Sequence, residues 1–363
     1  YQWFSLIGMI LLPISVILLI VVMFTGRIND AARWISIAGI QFQPSEFAKM
    51  AVVIVTAFIL SKGRTEDGAN PSAFKNIMII AGTICAIILP ENFSTAFLLF
   101  GVVFLMMYIG HVPLKKLGIL VGSLFSVAIV GIAFLIITKD IDVPFMHRFD
   151  TWRTRIEKFV SNEEIAASEF DTDKDGQVAH ARIAVATSHI IGKGPGNSVQ
   201  RDFLSQAFSD FIFAIVIEEL GLLGGAFVVF LYICLLIRVG RIAKRCNRSF
   251  PAFLVIGIGL LLVTQAVFNM MVAVGLAPVT GQPLPLISRG GTSTIINCVY
   301  IGMLLSVSRY TASIEQEELL RQAEVAPEKS AAVLLAEAVL AENQAQSAEE
   351  PTSEVLNSDS EFE

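Results

Sequence analysis

Residues 205–225 read SQAFSDFIFAIVIEELGLLGG, and the fold class turns on how that stretch is understood. Asp210 stands at the mouth of a long apolar run, and Glu218 and Glu219 sit inside it. The run continues to Arg238, which makes residues 209–238 longer than the ~20 residues that cross ~30 Å of hydrocarbon. Each ionised group at bilayer depth costs about 2.5–3.5 kcal/mol on insertion scales, so three carboxylates here imply a use for charge. The whole chain agrees with a membrane setting. Its 363 residues are 54% hydrophobic and 16% charged, where soluble domains carry roughly 25% charge. Apolar runs predict eight spans, at about 3–25, 45–62, 75–90, 94–110, 115–138, 209–238, 250–275 and 291–310. Lipid forces backbone polar groups to pair within each segment, so all eight are expected to be helices. The predicted class is an all-α polytopic membrane protein.

Charge placement sets the expected orientation. The loop RVGRIAKRCNRSF holds Arg238, Arg241, Lys244, Arg245 and Arg248, and the SKGR and HVPLKK loops are also basic. If the spans alternate, these three loops lie on one side, which the positive-inside rule makes cytoplasmic. Both ends of the chain then face the cytoplasm. The long segment 139–208 falls outside, as does 276–290. Residues 1–310 form the expected membrane domain; 311–363, rich in Ala, Glu and Ser, read as an acidic cytoplasmic tail, a frayed helix followed by disorder. Tyr1 opens inside an apolar segment, which reads as a piece lacking its N-terminal part rather than a signal peptide. Cys85, Cys234, Cys246 and Cys298 have neither redox nor metal spacing and read as small buried hydrophobes.

Four motifs weigh differently. Asp171, Asp173, Asp175 and Gly176 open like a calcium loop, but the twelfth position is Arg182 instead of a bidentate Glu; a solvated acidic turn is the better reading. GKGPGNS (192–198) has the glycines of a phosphate loop without the Gly-Lys-Ser/Thr ending. It reads as a mobile turn or as a Lys193 or backbone-amide contact to a phosphate. In QPSEFAK, Glu46 and Lys49 are three apart and share a helix face, as an ion pair, the lining of a wet cavity, or both. The stretch between the last two spans, LAPVTGQPLPLISRGG (276–291), holds three prolines yet is too apolar for a plain loop. Irregular backbone at that depth survives only when buried in protein or lining a cavity. A re-entrant outer segment is expected, with Ser288, Arg289 and the Gly290–Gly291 amides available to an anionic ligand.

Three stretches, AARWISIAGIQFQPSEFAK, SDFIFAIVIEELG and PVTGQPLPLISRGGTS, occur in this order and together resemble the SEDS family of peptidoglycan glycosyltransferases, most closely its division members. The resemblance covers essentially all of residues 1–310. Family members have ten spans, so this chain looks like spans three to ten. The resemblance implies a catalytic aspartate at Asp210, a supporting acid at Asp202, an important arginine at Arg33, and a cavity ion pair at Glu46 and Lys49. Two family signatures differ here: the usual PDLGT reads PENFST (90–95), which weakens any transfer to Glu91, and the usual HTD reads FSD.

The family's chemistry explains the charge. Lipid II carries undecaprenyl pyrophosphate on an α-linked sugar, and the glycan product is β-linked, so the transfer inverts by direct attack. That step needs one general base on the acceptor hydroxyl, and Asp210 has the required type and place. Pyrophosphate is a good leaving group, so a second carboxylic acid of the glycosidase kind is dispensable and cations should stabilise it. Arg153 and Arg155 of TWRTRIEKF are the chief candidates, with Arg33 and Lys193 secondary; the reaction requires no cofactor by this reading, and a divalent cation (Mg2+ or Mn2+) is the one candidate. On an ideal helix Glu218 lies about 80° from Asp210 and Glu219 about 180°, so the pair reads as mainly structural. Implied partners are lipid II, a single-span class B penicillin-binding protein that cross-links the glycan, other divisome proteins and membrane lipid; no nucleic acid is expected. A lipid II flippase and a non-catalytic division scaffold are the competing readings. A flippase would tolerate loss of Asp210.

Overall fold

The computed structural model describes residues 2–24, 35–37, 40–64, 68–137, 175–204 and 207–348. The chain forms two compact units, Tyr1–Ser308 and Arg309–Glu363. The first contains α1 (Phe4–Phe24), a two-stranded hairpin of β1 (Ile35–Ile37) and β2 (Ile40–Phe42), α2 (Pro44–Ser61), α3 (Ala73–Ile88), α4 (Phe93–Ile109) and α5 (Leu114–Ile137). After these come α6 (Asp175–Ala186), a 3-10 turn (Gln200–Phe203), α7 (Ile212–Lys244), α8 (Ser249–Ala273) and the start of α9 (Gly291–Ala348). The second unit is helical through Ala348.

A helix lies at each of the eight expected spans. Six (α1, α2, α5, α7, α8 and α9) have the length and apolarity to cross a membrane. α3 and α4 do not; at 16 and 17 residues they rise only about 24–26 Å at 1.5 Å per residue. The turn between them ends both early, because Asn92 caps α4 by accepting from Thr95 N at 3.2 Å. The hairpin, Ile35 opposite Phe42 and Ile37 opposite Ile40, is a small departure from an all-helical reading.

α2 and α8 form the centre. α2 starts with Pro44 in its first turn, where the missing N–H costs nothing, and Ala48, Ala51 and Ala57 are fully buried. Such small side chains let helices approach closely. α8 uses Gly257 in the same way: a Cβ there would lie 2.7 Å from Met106 Cε on α4 and from Val53 Cγ1 on α2. Around this core α5 turns Ile119, Phe125 and Val127 outward, and α7 does so with Leu223, Phe227 and Phe230. Continuous exposed apolar faces of this kind suit lipid.

The basic loops gather at one end. Lys116 Nζ donates to Pro71 O at 3.0 Å, Gly68 packs against His111, and the Arg64 guanidinium lies 5.1 Å from the Phe253 ring centre. The opposite end holds residues 189–204 and 207–210, the α3–α4 turn and the segment 274–290.

Candidate functional site

Asp210 belongs to a turn, not to a helix. α7 begins at Ile212 with Phe211 as its N-cap, so the helical-wheel angles expected between Asp210 and Glu218 or Glu219 do not apply. The Asp210 side chain is half-buried, and Ser209 Oγ donates to its Oδ1 at 2.8 Å. Its backbone oxygen accepts from Asn269 Nδ2 on α8 at 2.8 Å, and the same amide donates to Gln282 O at 2.8 Å. One side chain therefore ties the Asp210 turn to the segment 274–290.

That segment is irregular, and its middle, with Gln282, Leu284 and Pro285 buried, packs into protein. Gln265 Nε2 donates to Pro283 O at 3.0 Å, Gln282 Nε2 to Thr95 Oγ1 at 2.6 Å, and the Tyr232 hydroxyl of α7 to Pro285 O. Ser288 Oγ accepts from Leu284 N at 2.7 Å and donates to Ser209 O at 2.5 Å, while Arg289 N donates to Phe208 O at 2.8 Å. Ser288 and Arg289 thus lie against the residues just before Asp210, with the Arg289 side chain exposed. α9 starts at Gly291, and the first N–H groups of a helix lack partners within it.

Glu46 and Lys49 form an ion pair at 2.7 Å, with Lys49 fully buried and the Glu46 side chain 3% exposed. Lys49 Nζ also donates to Gln265 Oε1 at 2.9 Å. The pair therefore reaches, through Gln265, the same segment that Asn269 ties to Asp210. Gln282 Oε1, Asn269 Oδ1 and the Tyr300 hydroxyl are buried on these elements with no protein partner among the described residues, as in interiors that take up water.

Other expectations meet a different geometry. The GKGPGNS loop is pinned: Lys193 N donates to Glu218 O at 3.0 Å and Gly194 N to Glu219 O at 2.8 Å. Its amides at these two positions serve α7 and not a phosphate. Lys193, expected as a secondary cation for pyrophosphate, lies 2.5 Å from the buried Glu218 carboxylate and is committed to it. Asp171 and Asp173 lie outside the described residues; from Asp175 through Arg182 the chain is helical, which does not suit the later ligand positions of a calcium loop. Asp202 lies on the 3-10 turn, largely exposed, 3.3 Å from Arg201 Nε. Arg33, Arg153 and Arg155 lie outside the described residues. The candidate divalent cation finds no group of three His, Cys, Asp or Glu side chains among the described residues. Mg2+ held by one carboxylate and substrate phosphates needs no such cage.

Gln265 and Asn269 were missed by sequence reasoning. Their signal was there: two amides four apart, on one face of an otherwise apolar helix, are as conspicuous in a membrane as a charge.

A bundle of apolar helices with Asp210 at one end, tied through Asn269 to the irregular segment 274–290, defines a class of lipid-facing, multi-pass proteins. Residues 2–313 match the family model of FtsW, RodA and SpoVE, described as cell cycle proteins, and the chain belongs to that family. It is 32% identical to a probable peptidoglycan glycosyltransferase FtsW of Hahella chejuensis over 87% of this chain and 77% of that one. It is also 32% identical to a protein of the same name from Geobacter metallireducens, over 85% and 78%. Among solved structures it resembles a chain from a study of polymerization and crosslinking by a peptidoglycan synthase complex (TM-score 0.67, 24% identity, 86% of this chain and 83% of that one). The Thermus thermophilus rod shape determining protein RodA is similar as well (TM-score 0.55, 25% identity, 85% and 79%).

Proposed function

We propose that this chain is a peptidoglycan glycosyltransferase that polymerises lipid II by inverting, β-1,4 transfer during septal wall synthesis. The observation that carries the reading is Asp210, a half-buried carboxylate at the end of the bundle opposite the basic loops, fixed by Ser209 and Asn269. The relatives' shared name, peptidoglycan glycosyltransferase FtsW, supports the reaction class. Asp210 takes the proton from the acceptor sugar's 4-hydroxyl as that oxygen attacks the donor's anomeric carbon, and undecaprenyl pyrophosphate leaves with its electron pair. Arg289, the amides at the start of α9, and Arg33, Arg153 and Arg155 are the groups proposed to meet the pyrophosphate charge; Asp202 supports the site from the neighbouring turn. Basic loops at one end of the bundle support an inner-membrane topology with both ends cytoplasmic and Asp210 outside. The peptidoglycan synthase complex among the structural neighbours supports a transpeptidase partner of the class B penicillin-binding kind, with other divisome proteins.

The test is polymerisation of purified lipid II by the full-length protein. Wild type should make glycan strands, and Asp210→Asn should fall by about 10²–10⁴-fold, the usual contribution of a general base, while still inserting and folding. Substantial turnover by Asp210→Asn sinks the assignment, and a flippase would show that outcome.

A further inference from the structure

We infer that Glu218 is a positioning residue for this reaction: from inside the helix that follows Asp210 it fixes the 3-10 turn that carries Asp202. The inference rests on the reading of Asp210 as base. Glu218 is fully buried inside α7, yet its carboxylate faces four donors from one loop. Lys193 Nζ and Ser198 Oγ each donate at 2.5 Å, and Val199 N and Gln200 N at 3.2 Å. The bond from Gln200 N anchors the 3-10 turn: Asp202 follows Gln200 by two residues, and Asp210 precedes the first residue of α7 by two.

A structural counter-ion for Lys193 would not need this arrangement. One cation and three neutral donors on a single carboxylate also satisfy the N–H groups at the start of the 3-10 turn, where negative charge is favoured. The outer face of that turn is held as well, since His180 Nδ1 lies 2.6 Å from Gln200 Oε1 and the His180 ring stacks on Phe203 at 5.1 Å. Asp202 therefore rides on a turn fixed from both sides.

The helix is built to make this contact. α7 breaks at Gly221, with φ 72° and ψ −173°, which frees carbonyls above the break and amides below it. Residues 189–194 take both sets: Lys193 N and Gly194 N donate to Glu218 O and Glu219 O, while Leu222 N and Leu223 N donate to His189 O and Ile190 O. The approach is so close that a Cβ on Gly192 would lie 2.3 Å from Gly221 N, and one on Gly221 would lie 2.2 Å from Ile190 O. The half-helix carrying Glu218 and the loop carrying its partners are thus one piece.

The experiment compares full-length wild type and Glu218→Gln by amide hydrogen exchange and by steady-state polymerisation of lipid II. An amide in place of the carboxylate sets an NH2 group against donors, so exchange across residues 193–203 should rise while α8 stays protected. A loosened site should lose about 10–100-fold in kcat, with KM for lipid II within about twofold. Full kcat with a loosened loop overturns the inference, and so does a rise in KM at unchanged kcat. Should Glu218→Gln fail to accumulate, the Lys193→Met/Ser198→Ala double variant, which leaves the buried helix intact, is judged by the same two readouts. An inactive wild type would instead sink the functional reading, so the two failures are distinguishable.

Discussion

Asn269 does at the residue scale what a longer element would otherwise have to do. Its single amide group bridges Asp210 O and Gln282 O, so the Asp210 turn and the segment 274–290 are tied together. Asn269→Ala should lower kcat by about tenfold or more through misplacement of the base, with little change in KM; unchanged kcat in steady-state polymerisation would argue that the turn needs no such tether. The Glu46–Lys49 pair makes a second residue-scale prediction. Both side chains are buried, and removing one partner of a buried pair costs ~3–5 kcal/mol because the other charge is left uncompensated. Lys49→Met should therefore destabilise more than Glu46→Gln/Lys49→Met together, read as thermal unfolding in a double-mutant cycle. Additive losses would show that the pair is not coupled.

At the scale of elements, the broken helix α7 and the loop beside it stand or fall as a unit. Gly192 and Gly221 both have positive φ, 80° and 72°, and neither has room for a Cβ. Gly192→Ala should cost at least the ~1–3 kcal/mol of a strained backbone, with further loss from the clash, whereas Gly196→Ala, which also has positive φ but meets nothing within 4 Å, should cost less. Thermal unfolding of the two variants checks the order, and equal shifts would mean that the close approach carries no weight.

For the whole molecule, the clustering of basic loops makes sidedness measurable. A cysteine placed at Lys115, in a background without the four native cysteines, should resist a membrane-impermeant thiol reagent in intact cells. One placed at Asp202 should react. The reverse pattern would invert the topology and move Asp210 to the wrong leaflet for the proposed reaction. Partner dependence belongs to this scale too. A transpeptidase that contacts the outer segments would hold the base against the acceptor hydroxyl, and saturating partner should raise turnover. Equal rates with and without it, at concentrations that demonstrably saturate binding, would leave co-localisation as its only role.

The sequence by itself determined the class, the eight helices and the facing of Glu46 and Lys49, because hydrocarbon thickness and helical period act locally and leave their mark in runs and spacings. It also drew attention to Asp210, Glu218 and Glu219, through the cost of carboxylates in an apolar run, and the family resemblance chose Asp210 among them. Tertiary structure alone decided how these parts meet. No local pattern announces that α7 breaks at Gly221, since the break is stable only when residues 189–194 arrive from elsewhere to satisfy the freed backbone groups. The same is true of GKGPGNS: it looks like a phosphate loop, but Gly192 is there for close approach to the backbone of Glu219 and Gly221. Lys193 reads as a free cation until Glu218, 25 residues on, is seen to hold it. Gln265 and Asn269 gain their meaning only when the segment 274–290 folds back over α8 and offers them the carbonyls of Pro283 and Gln282. Periodicity fixes which face a residue shares with its neighbours along the chain, whereas the partner across the gap is chosen by packing.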